Sequence, residues 1–216
     1  MTVCIAAACF HDPKDKKRRI VMCSDTKLTS SLGSMEGSLK QVFLPNGWCC
    51  LTSGNEPDIL ALVRLYKAQF KDKANLQAET IDASIKAPLY RRKSELAEEY
   101  VQRHLGRSYD YFLKHGKDDL TAEHFFDISQ KIARLDLGTS LILTGFIDDE
   151  PEIYYTDSDG TAKAAAYYAV IGEGEYVAHS APLRRGHYDA YFLDQTVDHV
   201  YEAKTLAEYV STLLSG

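Results

Sequence analysis

The second residue of the chain, Thr2, has a type and a position that could carry catalysis. It follows Met1, and a small residue here favours removal of that methionine. Thr2 would then hold a free α-amine beside its own hydroxyl. An α-amine has an ordinary pKa of about 7.7–8.0, so near neutral pH it can accept the hydroxyl proton. Threonine is also common at position two where Met1 is merely trimmed, and both interpretations stay open at this point.

Three later residues stand at the ends of predicted strands. Asp25 ends an apolar run, where a carboxylate also serves as the turn former of residues 25–29. Lys40 stands near the start of the next strand. Gly54 is predicted at a strand-to-helix junction, where backbone N–H groups and the helix dipole favour negative charge. A turn that requires a positive φ explains the same glycine equally well.

Other potentially reactive residues have simpler interpretations. His179, His187 and Asp189 could coordinate a metal, but their spacing matches no ligand pattern, and hydrogen-bonded or surface histidines are the better interpretation. The acidic turn at residues 157–160 lacks the later glutamate of a calcium loop. We therefore expect no metal and no cofactor. Buried reduced thiols, more than a zinc site or a redox pair, are predicted for the five cysteines: Cys4, Cys9, Cys23, Cys49 and Cys50.

The composition limits the class of protein. A chain of 216 residues can form one large domain or two small ones, and 45% hydrophobic with 26% charged residues is typical of globular proteins. The net charge of -6 offers no basic surplus, so we expect neither nucleic acid nor a membrane as a partner. No secretory signal or membrane-length apolar run is apparent, and a cytoplasmic location is predicted.

The order of predicted elements indicates the fold class. Strands at the amino terminus and at residues 19–25 precede a hairpin around Asn46 and Gly47. Helical spacing begins at Asn55, and residues 79–135 are rich in helix. Strands return after residue 139, and a last helix is predicted at 194–213 with these residues on its apolar side: Val197, Val200, Tyr201, Leu206, Ala207 and Val210. Hairpin-joined strands around a block of helices predict antiparallel sheets covered by helices, an α+β fold.

Together these features resemble the amino-terminal half of proteasome β-type subunits, which are N-terminal-nucleophile (Ntn) hydrolases. Thr2 leads the first strand, and Asp25 and Thr29 form the D-x-x-x-T turn of that family. Lys40 precedes a strand, and Gly54 lies in a glycine turn before a helix. The intervals from 25 to 29 and from 40 to 54 are similar to those of the family, and the charged hairpin tip accounts for the longer interval after Thr2.

The resemblance extends to residues 170–174 and the last helix, with four departures. Residues 88–119 look like an extra helical insertion, which is closer to poorly characterised microbial proteasome-like proteins. Glu173 stands where the family usually has serine. The final Ser215-Gly216 lacks the aspartate of the family's D-x-x-S-G, and closing strands are missing, so we expect either truncation or a sheet with fewer edge strands.

The resemblance implies a single domain over residues 1–216, a four-layer αββα sandwich of two antiparallel sheets. In that arrangement Thr2 supplies the hydroxyl nucleophile and its α-amine the proton acceptor. The positive charge of Lys40 makes the nucleophile easier to deprotonate, and Asp25 holds Lys40 in place. The Gly54 N–H donates to the oxyanion of the tetrahedral intermediate.

The function implied is a threonine-type amide hydrolase, a peptidase, that acts on a peptide or a small amide. Two alternatives stay open: a catalytically silent structural ring subunit, and an Ntn hydrolase of a non-peptide amide. The resemblance also implies a homo-oligomer, either a ring or a stacked assembly. The sequence does not identify an ATPase partner or the cleavage preference.

Overall fold

The computed structural model describes residues 3–25, 27–30, 33–36, 40–188 and 190–214, with backbone only for 27–30, 33–36, 181–185 and 211–214. Within these ranges the strands are β1 (Cys4–Phe10), β2 (Arg18–Ser24), β3 (Lys27–Ser30), β4 (Gly33–Glu36), β5 (Gln41–Phe43), β6 (Cys49–Gly54), β7 (Thr139–Ile147), β8 (Glu150–Thr156), β9 (Ala162–Ala164) and β10 (Tyr168–Ile171). The helices are α1 (Glu56–Gln69), α2 (Ile81–Leu105), α3 (Tyr109–Asp119), α4 (Ala122–Ala133), α5 (Glu175–Arg185) and α6 (Leu193–Leu214). None of these helices combines the length and the apolar character needed to cross a membrane.

Two antiparallel sheets form the centre of the molecule. One has the strand order β5-β6-β7-β8-β9 and the other β10-β1-β2, while β3 and β4 form a separate hairpin. Apolar side chains from both sheets meet between them: Cys4, Ala6, Ala8, Leu51, Ile142, Ile153, Ala169 and Ile171. Since alternate residues of a strand point to opposite faces, Ile5 and Ala7 of β1 face the other way, toward α5 and α6. The predicted α+β sandwich is confirmed.

Helices α1 and α2 cover the outer face of the five-stranded sheet. The helical spacing predicted after Asn55 is confirmed, because Leu62, Val63, Tyr66 and Phe70 are all buried against this sheet. The Tyr66 hydroxyl donates to the carbonyl of Ile85 at 2.8 Å, which joins α1 to α2. These two helices form one outer layer of the sandwich.

Helix α6 covers the three-stranded sheet with a face that agrees only in part with the prediction, since Val200, Leu206 and Ala207 pack against this sheet as expected. Val197 and Tyr201 were assigned to its apolar side, and this assignment is wrong, since they are 46% and 69% exposed. The buried face is built from Thr196, His199, Val200, Ala203 and Ala207. The two alanines let the helix lie close to β1 and β2, so the packed face is defined by small residues more than by the most apolar ones.

The segment 88–119, predicted as an insertion, is helical and falls in α2 and α3. Gly106, with a φ of 64°, caps α2 in the left-handed conformation and ends the helix. Val101 of α2, Phe112 of α3 and Ile128 of α4 form a small core of their own, separate from the sandwich. The interpretation of this segment as an insertion stays a prediction.

Candidate active site

Asp25 and Lys40 form a buried ion pair at one end of the sandwich. Asp25 directly follows β2 and Lys40 directly precedes β5, so the two residues come from different sheets. The Lys40 Nζ donates a hydrogen bond to Asp25 Oδ1. Asp25 is only 8% exposed and Lys40 only 6%. Sequence reasoning selected both residues, and the fold brings them together.

The same carboxylate contacts the backbone at the start of the first strand. The Val3 N–H donates to Asp25 Oδ2 at 3.3 Å, and the Asp25 N–H donates to the Val3 carbonyl at 3.2 Å. The side chain of Asp25 therefore links the Lys40 ammonium to the backbone of Val3. Thr2 lies outside the described residues, but its carbonyl carbon is bonded to this Val3 nitrogen.

Cys4 is a further residue at this end whose side chain could act as a nucleophile. Its side chain is fully buried and its Sγ donates to the Thr52 carbonyl at 3.5 Å. Burial raises the pKa of Cys4 to about 12, and the negative charge of Asp25 adds to the rise more than Lys40 opposes it. The reactive form of cysteine is the thiolate, so a Cys4 that stays protonated at neutral pH is not a nucleophile.

Gly54 ends the strand that neighbours Lys40. The Thr52 N–H donates to the Lys40 carbonyl at 2.9 Å, so Lys40 lies along the edge of β6 that faces β5. The Ser53 carbonyl accepts from the Thr139 hydroxyl at 2.8 Å on the opposite, β7 side. Across a trans peptide bond the C=O and the next N–H point in opposite directions. The Gly54 N–H is therefore directed away from β7, toward the side that carries Lys40.

Only glycine fits at position 54. Its φ is 123°, a conformation that side-chain-bearing residues rarely adopt. A Cβ built there would lie 2.3 Å from the Gly138 carbonyl oxygen. The close approach of β6 to the start of β7 thus explains this residue structurally, whatever its N–H does.

Helix α6 contributes a further charged pair that sequence reasoning missed. The Lys204 Nζ donates to Glu208 Oε1 at 2.7 Å. This hydrogen bond raises the pKa of Lys204, and the nearby Cys23 and Asp25 raise it further. A Lys–Glu pair four residues apart is typical of a solvated helix face, so the sequence held no sign that Lys204 lies near Asp25.

Of the remaining residues named in the sequence analysis, some lie among the described residues and others do not. Glu173 is exposed in the turn before α5. His187 and His199 are buried with their Nδ1 atoms 3.1 Å apart, whereas His179 lies on α5 beside Glu175.

Thr2, Asp189 and Ser215 fall outside the described residues, as does the side chain of Thr29. Within the described part of the chain, no three metal-binding side chains are grouped, and all five cysteines are free thiols.

Comparison with protein families supplies an independent observation. Residues 114–209 match the family model described as Proteasome subunit. The chain is similar to proteasome subunits. A search of curated proteins finds no match. The proteasome-like match runs from α3 into α6, so it includes β7 to β10 and excludes Asp25, Lys40 and Gly54. The family match therefore supports a proteasome-like hydrolase and a proteasome-like structural subunit equally.

Proposed function

We propose that this protein is a threonine-type amide hydrolase whose nucleophile is Thr2, exposed by removal of Met1. The observation that carries the proposal is the buried Asp25–Lys40 pair, whose carboxylate accepts a hydrogen bond from the Val3 N–H. That nitrogen is covalently next to Thr2. A buried cation beside a chain terminus that can bear both a hydroxyl and an amine is the arrangement that nucleophilic catalysis needs.

The mechanism assigns one role to each group. The Thr2 α-amine accepts the hydroxyl proton, directly or through water, and the oxygen attacks the carbonyl carbon of the amide. The Lys40 charge favours the deprotonated oxygen, and Asp25 keeps Lys40 oriented. The Gly54 N–H donates to the oxyanion, a contact whose loss typically costs about 10²–10³ in rate. The C–N bond breaks as the amine leaves with a proton, and water then cleaves the Thr2 ester.

Two further observations support the proposal. Burial raises the pKa of both Cys4 and Cys23, so neither of these two thiols competes with Thr2 as a thiolate at neutral pH. The match of residues 114–209 to proteasome subunits agrees with an Ntn-type fold. With these assignments we further propose a peptide or small amide substrate, a cytoplasmic location and a homo-oligomeric assembly.

The decisive test compares Thr2→Ala with Thr2→Ser. Intact mass first establishes that Met1 is removed in each protein. We expect Thr2→Ala to lose about 10³-fold or more in kcat/KM toward a panel of fluorogenic peptides and small amides, and Thr2→Ser to retain measurable activity. A threonine-directed covalent inhibitor should modify residue 2 of the wild-type protein. Unchanged hydrolysis by Thr2→Ala, or modification at another residue, would refute the proposal.

A structural subunit without activity is the second candidate. It is favoured by the position of the family match, which lies outside the half of the chain that holds Asp25, Lys40 and Gly54. A retained Met1 would block the amine that must act as base. Retention of Met1 together with absence of inhibitor labelling would therefore favour this second candidate.

A further inference from the structure

Arg92 is a largely buried cation that α2 directs toward the start of α1. Its Nη2 donates to Asp58 Oδ1 at 3.1 Å, and the two side chains are 13% and 19% exposed. On its outer side Arg92 also pairs with Glu95 and Glu99 of its own helix, at 3.6 and 3.4 Å. Arg92 lies in the segment 88–119 that sequence reasoning set apart from the rest of the fold.

The Asp58 carboxylate links Arg92 to the turn that follows Gly54. Its second oxygen, Oδ2, accepts from the Asn55 Nδ2 at 2.9 Å. A Cβ at Gly138 would lie 2.9 Å from the same oxygen. The two oxygens of the carboxylate thus accept hydrogen bonds from Arg92 and Asn55, and the carboxylate lies beside the backbone of Gly138.

The backbone segments next to this carboxylate, at Asn55 and Gly138, also contact the backbone of Gly54 in the candidate site. The Asn55 N–H donates to the Gly138 carbonyl at 2.8 Å. The same carbonyl oxygen is the atom that would meet a Cβ at Gly54 at 2.3 Å. The hydrogen bonds from Asn55 to the Asp58 carboxylate and to the Gly138 carbonyl therefore join Asp58 to the strand-to-helix turn in which the Gly54 peptide lies.

We propose that Arg92 is a positioning residue that sets the direction of the Gly54 N–H through Asp58 and Asn55. The inference rests on the proposed function, in which that N–H donates to the oxyanion. A donor acts on an oxyanion at about 2.7–3.1 Å, and a misplacement on the order of 1 Å can cost about 10²-fold in rate. Arg92 contacts none of the reacting atoms in this arrangement, and the segment 88–119 thereby supports the candidate site.

The chain offers a matched control one residue away. Arg91 is on the same helix, and its exposed side chain pairs with Glu95 at 3.1 Å without reaching Asp58. We expect Arg92→Met to lower kcat about 10-fold or more with KM changed less than twofold, and Arg91→Met to change both less than twofold. Arg92→Lys, which keeps the charge, should recover part of the lost kcat.

A measurement independent of activity monitors the Gly54 peptide group directly. In ¹H–¹⁵N spectra we expect the Gly54 amide resonance to shift, and its hydrogen exchange to accelerate, in Arg92→Met but not in Arg91→Met. If Arg92→Met does not fold, Arg92→Lys and Asp58→Asn decide the same question, since both keep the size of the side chain. Folded fractions are matched by circular dichroism before each comparison.

The outcomes separate this inference from the proposed function. If Thr2→Ala abolishes hydrolysis while Arg92→Met matches Arg91→Met in kcat and in the Gly54 resonance, the inference is overturned and the proposed function stands. A change in KM alone would also overturn it. Hydrolysis that does not depend on Thr2 would overturn both.

Discussion

The two ends of the sandwich both bring opposite charges together, but they bury them to very different extents. At one end Asp25 and Lys40 are 8% and 6% exposed. At the other end, where the β1–β2 and β7–β8 hairpins turn, Arg18 Nε lies 3.5 Å from Glu150 Oε2; the Arg18 side chain is 11% exposed, but its glutamate partner is 70% exposed, so only one member of this pair is buried. The Arg18 guanidinium also lies 4.3 Å over the ring of Phe10.

The comparison teaches that burial, and not the number of charges, distinguishes a candidate site here. The far end is rich in charged residues, since the run from Asp15 to Arg19 lines a depression there together with Asp149 and Glu150. Water screens an exposed pair, which contributes about 0–1 kcal/mol. A buried pair carries a desolvation cost and persists only with its partner in place. Buried charges of this kind are concentrated at functional sites.

The largest expected effect is that of Lys40→Met on stability. Removal of the ammonium leaves the Asp25 carboxylate buried and negatively charged, with the neutral Val3 N–H still donating to it. We expect the free energy of unfolding to fall by about 3–5 kcal/mol, because an uncompensated charge stays in a low-dielectric environment. Urea denaturation monitored by circular dichroism measures this change.

Lys17→Met is the matched control at the other end, because Lys17 is an exposed lysine of the hairpin tip. Its replacement should change the free energy of unfolding by no more than about 0.5 kcal/mol. Similar losses in the two variants would mean that the two ends do not differ as their burial indicates.

The next largest effect is expected for Gly54→Ala, which tests the backbone of the site end. The φ of 123° and the 2.3 Å approach to the Gly138 oxygen both oppose a side chain. We expect a loss of roughly 2–4 kcal/mol in the free energy of unfolding. Gly47→Ala is the control, since Gly47 also has a positive φ, of 78°, but no atom within 4 Å of a Cβ. Equal losses would show that only φ matters and that the approach to Gly138 does not.

The antiparallel sheets and their covering helices were predictable from local patterns in the sequence, whereas the four-layer sandwich was implied by the family resemblance. The Asn46-Gly47 turn has positive φ at both residues, and β5 and β6 pair across it as expected of a tight hairpin. Residues 162–171 could not be assigned to a sheet by the same reasoning. They contribute to β9 and β10, which belong to different sheets, and side-chain periodicity does not reveal a strand's partner. Helix α5 was not predicted, since its sequence mixes polar residues with Pro182.

For the candidate site, the sequence predicted the types of residue but not their contacts. Asp25 and Lys40 were selected through a family resemblance, and the contact between them depends on how the two sheets face each other. The link from Arg92 through Asp58 to Asn55 spans 37 residues of chain, from α1 to α2, and no local pattern indicates it. Long-range polar contacts of this kind are visible only after the chain has folded.

The smallest expected effect is the coupling between Arg18 and Glu150, and it completes the comparison. A double-mutant cycle with Arg18→Met and Glu150→Gln should give a coupling below about 1 kcal/mol, because Glu150 remains exposed to water and ions. The same cycle with Lys40→Met and Asp25→Asn should give a coupling several times larger. Added salt should reduce the first coupling and leave the second nearly unchanged, since ions screen exposed pairs far more than buried ones. Two couplings of equal size, with equal response to salt, would contradict the distinction between the two ends.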